Sequence, residues 1–284
     1  MSRVLDSGGF ANRPGEDDRP DATAWAVAAL RASGSNPVLV GPACTRLAGN
    51  QQPDGRVCVS PQNPEAWWPT PLAVMAWQGI SRFDDSRSRA LDFLLNSSGR
   101  HWARARDNVV GHDPSLKGWS YIEGTHSWVV PTSLTLLALK ASMLGGHERA
   151  VQAVAMLLDR RLPSGGWNYG NTKIFGRDLY AMPDTTGMAL DALSGLVSRE
   201  DVESGLACMK SQVRDVRTPL SLSWGLLGLG AWGERPADAR AMLSESWEQR
   251  RFFGEYDTAT VGLMTAAWFA GGGMDGILSG RAPG

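Results

Sequence analysis

PDTTGMALDAL, residues 183–193, opens with Pro183 and Asp184 and then runs through small and apolar residues that leave no polar face. A helix of that composition is one surrounded by protein on all sides, not one half in water. Five other stretches repeat the phrase: DATAWAVAAL from Asp21, PTPLAVMAW from Pro69, PTSLTLLALK from Pro131, RTPLSLSWGLLGLG from Arg217 and DTATVGLMTAAWF from Asp257. In each, a Thr preceded by Pro, Asp or Arg starts the run. Thr23 and Thr258 are 235 residues apart, so the five intervals average 47 residues, a period at which a helical pair is one repeat of a larger array.

Between these inner helices lie amphipathic, charge-bearing segments: SRSRALDFLLN (86–96), HERAVQAVAMLLDRRL (147–162), EDVESGLACMKSQV (200–213) and PADARAMLSESWEQRR (236–251). In the second, Ala150, Val151, Val154, Leu157, Leu158 and Leu162 keep the 3.6-residue spacing of an apolar stripe, with Arg149, Gln152, Asp159 and Arg160 largely off it. Glycine-aromatic loops punctuate the repeats at LDSGGF (5–10), QQPDGRV (51–57), LKGWSY (116–121) and LPSGGWNYG (162–170). Such pairs bury little alone and must stack, and because the inner member is apolar all round, closure into a ring is favoured over an open superhelix. The expected fold is all-α, a double ring with about six inner helices. It forms one domain over 1–284, with repeats across roughly 5–270 and a short flexible tail at 271–284. No outer helix precedes the first repeat, so a sixth outer element is expected to be absent or supplied by a partner.

Composition narrows the function classes. The chain is 43% hydrophobic and 20% charged, without a run of about 18 apolar residues, which excludes disorder and a membrane span. Lys+Arg 28 against Asp+Glu 29 gives a net charge of −1, so nothing recruits nucleic acid by bulk electrostatics. Cys44, Cys58 and Cys208 lack CxxC spacing, the four His (101, 112, 126 and 147) are scattered along the sequence, and no metal or other cofactor is expected. No apolar stretch follows Arg3, so the start does not read as a secretion signal and the cytoplasm is the expected compartment.

The Thr-initiated inner helices and glycine-aromatic loops resemble the terpenoid cyclase and protein prenyltransferase α/α toroid, with squalene-hopene cyclase-like repeats, over nearly the whole chain. The resemblance implies an isoprenoid or other apolar small molecule in a central cavity. In class II terpene cyclases the matching helix begins Asp-X-Asp-Asp-Thr-Ala, whose middle acid protonates an alkene or epoxide. On PDTTGMALDAL, Asp184 takes the middle position, Met182 and Thr185 the flanking acids, Pro183 the X, Thr186 the Thr and Gly187 the Ala, so one carboxylate of three is kept. An acid that protonates hydrocarbon must be held protonated against a helix N-terminus that favours its charged form. The alternative is an N-cap accepting backbone N–H groups, and Asp21 and Asp257, similarly placed, favour that reading.

Loops entering the inner helices on one face supply Glu65, Trp67, Trp68, Glu123, Trp128, Trp167, Tyr169, Tyr180, Tyr256 and Asp257 as candidate binding residues, with His126 beside Glu123 as a second candidate catalytic group. In NPEAWWPT (63–70) two adjacent Trp cannot face the same way, so one is expected to face the opening. The run RHWARARDN (100–108) could greet a diphosphate or sit solvated. Two other functions stay open. One is a non-catalytic toroid holding a lipid, peptide or protein partner. The other is a carbohydrate-acting double ring using two of Glu65, Glu123, Asp184 and Glu255. Peripheral contact with a membrane also stays open.

Overall fold

The computed structural model describes residues 3–104 and 110–278. In chain order the helices are α1 (Pro20–Ser33), α2 (Val40–Gly49), α3 (Thr70–Trp77), α4 (Asp84–Asn96), α5 (Val129–Ala141), α6 (Glu148–Asp159), α7 (Pro183–Leu193), α8 (Arg199–Val213), α9 (Pro219–Ala231), α10 (Ala239–Glu248), α11 (Arg250–Phe253), α12 (Thr258–Phe269) and α13 (Asp275–Leu278). Between α6 and α7, β1 (Lys173–Ile174) and β2 (Arg177–Asp178) pair as an antiparallel hairpin.

The six apolar phrases are α1, α3, α5, α7, α9 and α12. Each packs on the next, and α12 packs back on α1, which closes the ring. Every residue of α3 is buried. The outer layer is α2 on α1 and α3, α4 on α3, α6 on α5, α8 on α7 and α9, and α10 on α9 and α12. No outer helix backs the α12–α1 junction among the described residues. The flank of α12 facing α10 is accordingly only half covered, and Trp247, Val261, Trp268 and Phe269 line a groove of about 480 Å³ there.

One hydrogen bond explains why the repeats need their threonines. Thr23, Thr70, Thr132 and Thr186 each accept, on the hydroxyl, the backbone N–H of a residue in the preceding loop: Phe10, Val57, Trp119 and Trp167. The separation is 13 residues in the first three and 19 in the fourth. The repeat that carries Asp184 is therefore six residues longer, the length of the 173–178 hairpin. The aromatic after the glycine is core: Trp119 and Trp167 are fully buried, donating their indole N–H to Leu94 O and Leu157 O.

The stripe on α6 differs from the sequence expectation at two positions. Val151 is exposed, and Arg149 is buried, its guanidinium stacked 4.3 Å above the Trp119 ring and donating to Ser97 O and Gly118 O. Satisfied donors and an aromatic face let a cation take a position that periodicity reserves for an apolar residue.

Residues 271–278, expected as part of a loose tail, instead cross the C-terminal ends of the inner helices. Ile277 and Leu278 are buried, and Met274 N donates to both carboxylate oxygens of Asp191 (3.3 and 3.0 Å). Above this floor Trp25 meets Trp224 edge to face at 5.7 Å. Because α12 separates α1 from α9 around the ring, the two indoles meet on its inner side. Beneath them a space of only about 10 Å³ remains, lined by Leu72, Met75, Met274 and Ile277.

Complete burial pushes the Asp191 carboxyl up to about 7, with Lys140 and the Met274 amide partly opposing. A folded-state value above the unfolded one means that stability is present at low pH and lost as pH rises towards 7. Asp191→Asn, which keeps an oxygen for Met274 N, is expected to be more stable than wild type at pH 8 by on the order of 2 kcal/mol and to lose that advantage at pH 4. Thermal melts across that range test it.

Candidate functional site

Each inner helix begins at the same end of the ring, so the loops entering them form a mouth. At its α7 edge Asp184 is buried in the first turn. Asp184 is not an N-cap: Met182 holds that position, and among the described residues neither carboxylate oxygen accepts a backbone N–H. Oδ2 accepts instead from the Tyr169 hydroxyl at 3.1 Å. The expected analogy among the three acids therefore fails. Asp257 caps α12 by accepting Thr260 N at 2.7 Å, and Asp21 is held by the Arg19 guanidinium at 3.0 Å through both oxygens.

Tyr121 adjoins this pair. Burial pushes its phenol well above the ordinary range, and the Tyr169 and Asp184 charges push the same way. Tyr169 is also raised, by burial first and then by Asp184. Two phenols thus stand beside Asp184, while Met182 and Thr185 hold the positions that the family pattern gives to the flanking acids. Tyr121 was not singled out in the sequence because its partners lie 48 and 63 positions further along the chain.

Three of the four histidines come together. Arg160 is fully buried at the end of α6 and carries no carboxylate partner among the described residues; it donates to Gly170 O (2.9 Å), Ser127 O (3.3 Å) and His126 Nε2 (2.9 Å). His126 stacks on His112, their Nε2 atoms 3.3 Å apart, and His101 Nε2 lies 3.4 Å from Ser127 Oγ. Arg can only donate, so His126 Nε2 accepts, which makes that ring neutral, and the 3.3 Å contact needs the proton on His112 Nε2. Burial, helped by Arg160, pushes His126 down to about 4 and His112 to about 3. The unfolded chain then takes up protons that the native state refuses, so stability falls as pH drops from about 6.5 towards 4. His112→Phe is expected to flatten that acid slope by roughly 1–2 kcal/mol between pH 6.5 and 5, read by urea denaturation. His147 is apart from the cluster and caps α6 through Arg149 N.

The remaining candidates divide. Trp128 is half-buried, with His126 edge-on at 5.9 Å and its ring over Gly170. Glu123 is exposed and paired with Arg56 at 3.1 Å, and its N–H donates to Glu65 O, tying two rim loops together. Trp67 is buried against Phe93 of α4 at 5.4 Å, facing the outer layer, and Trp68 is half-buried and packed against the core. Trp167 belongs to the core, and Tyr256 donates to Ser246 O beside Trp247, away from Asp184. Tyr180 is exposed at the rim, and Glu255 is exposed near Arg250. Of the basic run, residues 105–108 lie outside the described residues. Among the described residues no group of His, Cys, Asp and Glu is arranged to hold a metal ion, and no helix is long and apolar enough to cross a membrane.

No family model matches the sequence, and no curated protein matches it. Solved structures do. The ent-copalyl diphosphate synthase from Streptomyces platensis aligns with a TM-score of 0.54 at 16% identity over 92% of this chain, which spans only 50% of that one. A variant of the type II terpene cyclase MstE from Scytonema, in complex with its substrate geranylgeranyl dihydroxybenzoate, gives a TM-score of 0.60 at 12% identity, covering 98% of this chain and 93% of that one. A protein from Actinoplanes gives 0.58 at 15% identity over 98% and 95%. The closed ring of six inner helices, its threonine-stapled loops and these alignments agree: this chain has the terpenoid cyclase-like α/α toroid fold.

Proposed function

We propose that the protein binds an isoprenoid at the mouth of the toroid and starts its cyclisation by protonation from Asp184. The observation that carries this reading is the Tyr169–Asp184 contact. A buried carboxyl at the start of an inner helix is held by a phenol and not consumed as a backbone cap, in contrast to Asp257. In the step proposed, the Asp184 proton moves to an alkene carbon, a C–H bond forms, and the cation left on the neighbouring carbon is sheltered by the π-faces of Trp68, Trp128, Tyr121 and Tyr169. Loss of a proton from the cyclised cation, or capture of water, ends the reaction. His126, neutral and bonded to Arg160, fits a part in holding the loop that carries Trp128.

A second reading is favoured by the packing of Trp25 on Trp224 and by the small space beneath them, which leave little depth for a long chain in the lower ring. On that reading the toroid only holds its ligand at the rim. Incubation with geranylgeranyl diphosphate and with prenylated aromatic acids, followed by mass spectrometry of the extract, separates the two. A cyclised product of unchanged mass or with one added water supports the enzyme; recovery of untouched substrate in a stable complex supports the holder.

A further inference from the structure

Phe252 and Phe253 are adjacent on α11, and each is 81% exposed. The turn that carries them is held in place. Both their amides donate to Gln249 O, Gly254 N donates to Arg250 O, and the Arg250 guanidinium stacks 4.1 Å over the Trp247 ring while donating to Trp247 O. Holding two phenyl rings in water is unfavourable, and burial within this chain does not offset it.

Trp247, which braces this turn, is also a wall of the groove between α10 and α12, so the two rings and the groove share an edge. Leu243, Val261, Met264, Trp268 and Phe269 supply the rest of its apolar lining. A cavity of about 150 Å³ takes one benzene ring, so the groove, at about 480 Å³, has room for two phenyls from another molecule. Charge over the same surface is balanced: Arg240, Arg250 and Arg251 stand against Glu245, Glu248 and Glu255, and α12 adds no charge from Thr258 to Phe269. Arg251 pairs with Glu248, Arg250 with Glu248 and Glu255, and Arg240 lies over the Trp268 ring at 5.9 Å. Such a surface selects neither a nucleic acid nor an anionic bilayer, and it can meet its own copy with arginines facing glutamates.

We propose that this flank pairs with a second copy of the chain across a twofold axis, Phe252 and Phe253 of each copy entering the groove of the other. A projection and a hole side by side on one surface give the self-complementarity that an isologous contact requires. Two phenyls and the wall they cover remove about 600 Å² per copy from water, somewhat below the roughly 800 Å² of a standard interface, so the expected dissociation constant is on the order of micromolar. The contact lies on the outer flank of the ring and is independent of the chemistry assigned to Asp184, so either can fail alone.

Sedimentation velocity over concentrations that bracket the micromolar range tests it. Wild type is expected to pass from monomer to dimer. Phe252→Ser combined with Phe253→Ser, at exposed positions, should keep the melting temperature of the dilute monomer and weaken pairing about 30-fold or more. Thr265→Glu places a charge in the groove and should weaken pairing likewise. Mixed together, these two proteins should form mixed dimers, because the intact rings of one meet the intact groove of the other. Met143→Asn, at a residue 91% exposed just beyond α5 on the far side of the ring, should pair as wild type. Wild type that stays monomeric throughout overturns the proposal, as do undiminished pairing of the serine variant, assembly that grows past the dimer, and a mixture that forms no mixed dimers. Capture of monomeric wild type by phosphatidylcholine vesicles that depends on Phe252 and Phe253 also overturns it and assigns the face to lipid.

Discussion

Gly187→Ala should loosen or unfold the ring. A Cβ built at Gly187 would sit 2.2 Å from Trp224 O and 2.6 Å from Gly225 N, and one at Gly228 would sit 2.3 Å from Gly187 O. These are backbone atoms of α7 and α9, so no flexible side chain can give way and the helices must separate. Overpacking of that kind costs about 3 kcal/mol, or roughly 6–12 °C in melting temperature for a chain of this size. The same logic applies at Gly262, where an added Cβ would meet Trp25 backbone atoms at 2.7 Å and force α12 off α1 at the ring closure. Gly41→Ala is the control: nothing lies within 4 Å, and alanine in the first turn of α2 is expected to be neutral or stabilising by up to about 1 kcal/mol. Calorimetric melts of the three variants distinguish close helix contact from a general intolerance of substitution.

Asp184→Asn should abolish turnover and spare the fold. The isostere keeps an acceptor for Tyr169 Oη and removes the transferable proton, so product formation is expected to fall about 10³-fold or more while ligand affinity stays within about threefold of wild type. Tyr169→Phe leaves the buried carboxyl without its phenol partner and is expected to lower the rate about 10–100-fold. Asp257→Ala, the variant at the equivalent acid, should do the opposite: it removes a true cap, costs about 1 kcal/mol of stability and leaves the rate unchanged. Product yield and melting temperature for the three proteins separate an acid that reacts from acids that only start helices.

The ring was readable in the sequence because its signal is local and repeated. An apolar helix with no polar face, started by a threonine at a period near 47 residues, encodes both the inner layer and its closure. What escaped was set by contacts between distant residues. The Arg160–His126–His112 cluster joins positions that look unrelated in a list of histidines, and the buried Arg149 breaks an amphipathic pattern because Trp119 and two carbonyls receive it. The hairpin at 173–178 is too short to show periodicity, and its turn, Phe-Gly in place of Asn-Gly, hides the usual hairpin signature. At the site, Asp184 was legible as a special acid only through the family pattern. That it is no cap depends on Tyr169, which the sequence placed at the mouth without showing what its hydroxyl touches.

Native mass spectrometry of the purified protein, with organic extraction of whatever it carries, tests the isoprenoid assignment most directly. We expect an apolar polyprenyl compound to leave with wild type and to be retained by Asp184→Asn. Protein that carries no such compound, and takes up none when offered geranylgeranyl diphosphate or a prenylated aromatic acid, contradicts it.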